Sequence, residues 1–138
     1  MIASFIIPGV PVAKGRPRLS ARHGIARAYT PDKTRRFEAQ IGDAARAAVG
    51  PCDPYSGAVE LEAHFSLPIP KSWPKRDRIA AIEGALYPQG KPDLDNFLKA
   101  LADGMNGIVY ADDCQIVSCR MTKRYGDDPG ITVTVRAV

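Results

Sequence analysis

Between Val59 and Leu67 the chain alternates without a break. Val59, Leu61, Ala63, Phe65 and Leu67 are apolar, and Glu60, Glu62, His64 and Ser66 are polar. Successive side chains of a strand point to opposite faces, so this segment predicts a strand with one buried face and one wet face. A sheet built on it takes its cover from one side only. Two segments supply that cover at helical spacing. Phe37, Ile41, Ala44, Ala45 and Ala48 predict a helix running to about Val49, with Thr30 as N-cap, Pro31 in the first turn and Gly50-Pro51 as the stop. Leu94, Phe97, Leu98, Leu101 and Met105 form the apolar stripe of a second helix over 94–106.

The remaining elements follow from shorter signals. Ile2 to Ile7 predicts a strand stopped by Pro8-Gly9, and 12–29 reads as a Gly/Arg-rich loop or loose ribbon. Residues 68–90 form a proline-rich basic excursion with a short helix over 75–83. Cys114 to Arg124 and Ile131 to Ala137 predict two strands, with Gly126 to Gly130 as the turn of a hairpin and Asp127 and Asp128 as turn residues. The expected class is α+β: a small mixed or antiparallel sheet with helices packed on one face. A chain of 138 residues fits one domain and buries enough surface to need no staple.

Composition removes several function classes. The three cysteines, Cys52, Cys114 and Cys119, are odd in number and form no CxxC pair, so a disulfide framework is not expected and reduced thiols in a cytoplasmic protein are. Cys114 and Cys119 are expected on opposite faces of one strand. His23 and His64 lie far apart, which argues against zinc. No apolar run reaches membrane-span length, and the proline-cut N-terminus does not read as a signal peptide. The formal net charge of +4 permits a polyanionic partner. Lys14, Arg16, Arg18, Arg22 and Arg27 lie together with no acidic residue among them, and Lys71, Lys75, Arg76 and Arg78 form a second group.

Against this basic background stands a small acidic group. Asp93 and Asp95 flank Leu94 where a loop becomes a helix, and Asp112 and Asp113 lie just beyond that helix. Lys99 is four residues after Asp95, and Asp103 four after Lys99, so the three share one helix face. A hard cation such as Mg²⁺ needs only one or two carboxylates, with waters and substrate phosphate oxygens completing its shell. A charged Lys99 cannot be a ligand, but it can hold a phosphate. The same residues also fit a plainer account. Aspartate before an apolar helix is a common N-cap, and paired aspartates are a common turn. The residues alone leave both accounts open.

The run DLDNFLKALADGMNGIVYADDCQI resembles the signature of the RusA family of Holliday junction resolvases, endodeoxyribonucleases of bacteria and their prophages. That pattern is DxDNxxKxxxDxL followed by DDxQ. Asp93, Asp95, Asn96, Lys99 and Asp103 match the first part, and Asp112, Asp113 and Gln115 the second. Gly104-Met105 departs slightly from the usual small-then-Leu step. Upstream, FIIPGVPVAKGRPR and YTPDKTRRFEAQI resemble the family's first strand, basic loop and first helix. The resemblance implies catalytic roles for Asp93, Asp95, Lys99 and Asp113, with Asp93, Asp95 and Asp113 holding Mg²⁺ or Mn²⁺. Asp112, Asn96 and Asp103 would support them. It implies a homodimer that nicks a four-way DNA junction symmetrically in recombination and repair. Lys14, Arg16, Arg18, Lys71, Lys75 and Arg76 would grip the junction arms. The competing readings are a non-catalytic basic DNA-binding module, a nuclease for other branched DNA, and a protein-interaction domain whose basic loop is only a solvated surface.

Overall fold

A computed structural model describes residues 1–14, 18–20, 27–29 and 32–138, with the side chains of 18–20 and 27–29 excepted. The expected helix start at Thr30 and Pro31 lies outside the described residues. The elements in chain order are β1 (Ala3–Pro8), β2 (Arg18–Ser20), β3 (Arg27–Tyr29), α1 (Asp32–Val49), β4 (Val59–Leu67), α2 (Lys75–Ile82), α3 (Leu94–Met105), a 3-10 turn (Asp113–Gln115), β5 (Ile116–Tyr125) and β6 (Gly130–Ala137). β1, β6, β4 and β5 form one sheet in that order, and β2 and β3 pair as a small antiparallel ribbon. The loop expected over 12–29 thus carries two short strands.

The alternation in β4 decides the layering. Val59, Leu61, Ala63 and Phe65 are buried while His64 is exposed. Ala3, Phe5 and Ile7 of β1 and Ile131, Val133 and Val135 of β6 point to the same side. Over that side lie α1, through Phe37, Ile41 and Ala45, and α3, through Phe97, Leu101 and Met105. The sheet is therefore mixed, with its helices on one face and the other face left wet.

The expected hairpin over Gly126 to Gly130 is not present. β5 runs parallel to β4 from Val59↔Ile116 to Leu67↔Tyr125, and β6 pairs antiparallel with β1 and with the opposite edge of β4. A parallel partner needs a long crossover, and residues 68–115, with α2 and α3, supply it. The turn then steps over the end of β4, where the Gly126 N–H donates to the Leu67 carbonyl at 3.0 Å. Gly130 fits that crossing because a Cβ there would lie 2.8 Å from the Ile7 carbonyl oxygen. Cys114 also departs from expectation: it sits in the 3-10 turn, and β5 begins only at Ile116.

Gly104 sets how closely α3 approaches α1. A Cβ at this position would meet Ile41 at 2.7 and 2.8 Å and the Glu38 carbonyl at 3.2 Å. Gly104→Ala should therefore push the helices apart and cost about 1–3 kcal/mol, although alanine is the better helix former. Thermal melting checks this; a melting temperature equal to or above the wild-type value would contradict it.

Candidate active site

α3 begins one residue after Asp93. Asp93 holds the N-cap position in extended geometry (φ −72°, ψ 156°), yet its side chain makes no capping hydrogen bond. Its carbonyl accepts from the Phe97 N–H at 3.2 Å. The carboxylate is exposed and spent on nothing local, which weakens the plain N-cap account of this residue. Asp95 follows in the first helical turn, also exposed.

Asp95 and Asp113 come to a common cavity of about 400 Å³, between α3 and the start of β5. Leu98, Lys99 and Ala102 line it from α3, and Ile116, Val117, Ser118 and Cys119 from β5. Asp93, one residue ahead of the helix, is not among the lining residues.

The two neighbouring aspartates of the DD pair are used differently. Asp112 caps the 3-10 turn: its carboxylate accepts from the Asp113 N–H at 2.9 Å, and its own N–H donates to Gln115 Oε1 at 3.0 Å. Gln115 Nε2 donates to the carbonyls of Tyr55 at 2.7 Å and Gly57 at 2.9 Å, which ties the turn to the loop before β4. The Cys114 thiol is hydrogen-bonded to Asp112, whose negative charge beside it pushes the thiol above its ordinary range. Asp112 is thus occupied by its own turn. Asp113 takes no side-chain bond from the described residues and faces the cavity.

A buried tyrosine lies within the field of these carboxylates. Tyr110 is fully buried, and its hydroxyl donates to the Ala102 carbonyl at 2.8 Å. Burial pushes its phenol upward, and the charges of Asp113, Asp103 and Asp112 add to that rise.

On the outer side of α3, Asp103 contacts Lys14 at 3.2 Å and Lys99 at 3.8 Å. Lys14 also pairs with Glu38, and its N–H donates to the Asn96 carbonyl at 3.2 Å. Burial pulls the Lys14 ammonium down, but the bonds to Glu38 and Asp103 outweigh it and raise the group overall. Lys14, expected among the DNA-contacting residues, has its ammonium turned into this ion cluster with only 20% of its side chain exposed. Lys99 remains 61% exposed. Asn96 is exposed at the same end of the helix.

The other basic candidates divide by position. Lys71, Lys75 and Arg76 are exposed before and in the first turn of α2, and none has a carboxylate partner among the described residues. Arg16 lies outside the described residues, and of Arg18 only the backbone pairing with Tyr29 is described. Trp73 stacks edge-on against Tyr125 at 5.2 Å, which docks the excursion on the end of β5.

No group of three or more His, Cys, Asp or Glu among the described residues is gathered closely enough to enclose an ion. The cavity offers two carboxylates from separate elements and stays open on one side. That donor set fits a hard dication that keeps its waters and takes phosphate oxygens as further ligands. It does not fit a closed four-ligand zinc site. Sequence reasoning missed the β5 lining and the bonds of Gln115. It also missed Lys123, which occupies an inward register position opposite Phe65. A lysine in that phase of a strand was the available signal.

The family described as endodeoxyribonuclease RusA matches residues 8–136. The chain is also 35% identical over 136 residues to the uncharacterized protein YqaN of Bacillus subtilis (strain 168), covering 97% of this chain and 95% of that one. Among the described residues, no helix is long and apolar enough to cross a membrane.

Proposed function

The chain belongs to the RusA endodeoxyribonuclease family, and on that footing we propose that it is a divalent-metal-dependent nuclease that resolves four-way DNA junctions. The observation that carries the reading is the shared cavity of Asp95 and Asp113, with Lys99 on its wall and Asp112 held apart in its cap. Asp95 and Asp113, with Asp93 at the helix entrance, would hold Mg²⁺ or Mn²⁺. When bound, such an ion lowers the pKa of a coordinated water and neutralises charge on the phosphate under attack. Lys99 would hold a non-bridging phosphate oxygen as negative charge develops there. Leu98, Ala102, Ile116 and Val117 supply the apolar part of the cavity wall.

Asp103 supports Lys99 from the next turn while Lys14 balances its charge. Lys71, Lys75 and Arg76 would contact phosphates of the junction arms, so binding should weaken steeply with salt. A homodimer would present two such cavities about a two-fold axis to two equivalent strands, giving paired nicks.

The test is a substrate panel. A four-way junction, a replication fork, a flap and a linear duplex of shared sequence are incubated with the protein and Mg²⁺. The reading predicts cutting of the junction well above the others. Equal cutting of fork or flap would replace it with a general branched-DNA nuclease. Salt-sensitive binding without any cutting would reduce the protein to a DNA-binding module.

A further inference from the structure

The geometry points to Lys123 as a positioning residue that holds the carboxylate site in place from the helix-covered face of the sheet. This rests on the reading that Asp93, Asp95 and Asp113 serve a dication. Lys123 lies on β5, opposite Phe65 of β4. Its ammonium donates to the Gly90 carbonyl at 2.7 Å and to the Pro92 carbonyl at 3.0 Å. Pro92 immediately precedes Asp93, so the sheet grips the backbone at the point where it delivers the first aspartate.

The other side of the pair is fixed through the same two strands. Phe65 stacks on Phe97 at 4.7 Å, with 17° between ring planes, and Phe97 lies two residues after Asp95. Asp93 and Asp95 are therefore bracketed by a polar latch on β5 and an aromatic latch on β4. The aromatic latch fixes the helix. Among the described residues, Lys123 makes the side-chain hydrogen bonds to the loop that enters it.

The bonding of Lys123 has the character of a latch rather than of a surface charge. The side chain is half-buried and has no carboxylate partner among the described residues. Two of its three N–H donors go to main-chain carbonyls two residues apart. Hydrogen bonds from a charged donor are the stronger kind, and groups that orient ligands in this way commonly control metal affinity and activity.

The experiment compares wild type, Lys123→Met and Lys123→Arg, with Lys123→Gln as a second neutral variant should the methionine variant fail to fold. Mn²⁺ affinity is read from the electron paramagnetic resonance signal of the free ion. Junction binding without metal, KM, kcat and melting temperature are measured alongside. Loss of the latch should raise the Mn²⁺ dissociation constant and lower kcat by about tenfold each, with junction binding and KM unchanged. Lys123→Arg, which keeps the donors, should recover part of both. A neutral variant with wild-type Mn²⁺ affinity and wild-type kcat would overturn the proposal, whatever its melting temperature. Wild-type protein that binds Mn²⁺ but cuts no junction would defeat the nuclease reading, and the Mn²⁺ affinities would still decide the role of Lys123. Wild-type protein that binds no Mn²⁺ would overturn both.

Discussion

Asp95→Asn is expected to bind a four-way junction as wild type does and to lose cutting by about 10²–10³-fold, the usual cost of removing one group that stabilises transition-state charge. Such a loss corresponds to roughly 3–4 kcal/mol of barrier. The substitution keeps the shape and removes the charge. Asp95 is exposed in the first turn of α3, so stability should change only by the few tenths to about 1 kcal/mol of a lost carboxylate at a helix N-terminus. Asp113→Asn should behave alike, because its carboxylate faces the same cavity without another partner among the described residues. Asp112→Asn is the informative contrast. Its side chain caps the 3-10 turn, and asparagine caps as well as aspartate. Asp112→Asn should therefore keep most of the activity. Gel-shift and cleavage assays on one labelled junction measure all three variants. Equal losses for Asp112→Asn and Asp113→Asn would contradict the division of labour within the pair.

Phe97→Ala should have the largest effect on stability. The ring is 1% exposed and stacked on Phe65 at the centre of the core. Removing a buried phenylalanine costs about 3–5 kcal/mol, a large share of the 5–15 kcal/mol that holds a typical domain together. Urea unfolding gives the value. The same change frees the helix that carries Asp95 and Lys99, so activity should fall more steeply with temperature than in wild type. A cost near 1 kcal/mol would mean that the Phe65–Phe97 stack does not join helix to sheet as described.

What could be read from the sequence was what depends on local periodicity. The alternation of Val59 to Leu67 specified both the strand and its buried face, and the stripe from Leu94 to Met105 specified α3 and its orientation. The partner of a strand is a different matter. Nothing in Ile116–Tyr125 or Gly130–Ala137 reveals that β4 lies between them, because that depends on how residues 68–115 return the chain. A short polar turn between two β-prone segments reads as a hairpin whether or not the strands pair. Cys114 was misplaced for a related reason: the capping box of Asp112 and Gln115 delays the strand by two residues.

The site divides in the same way. Asp95, Lys99 and Asp103 follow from a spacing of four on one helix. The return of Asp113 to that helix, and the different use made of Asp112, depend on the 3-10 turn and on Gln115 reaching Tyr55 and Gly57. Lys14 reads as one more cation in a basic run until Glu38 and Asp103 are brought around it. Lys123 shows in the sequence as a lysine at an inward strand position, but its partners are main-chain carbonyls, which no side-chain pattern reveals.

The most direct measurement is strand mapping on a synthetic four-way junction, with each strand labelled in turn, in Mg²⁺ and in chelator. The account predicts paired nicks at symmetric positions in two opposed strands in Mg²⁺, none in chelator, and nicks in Mg²⁺ slowed by about 10²–10³-fold with Asp95→Asn. A junction that is bound but left intact in Mg²⁺ and Mn²⁺ would contradict it, as would nicking by Asp95→Asn at the wild-type rate.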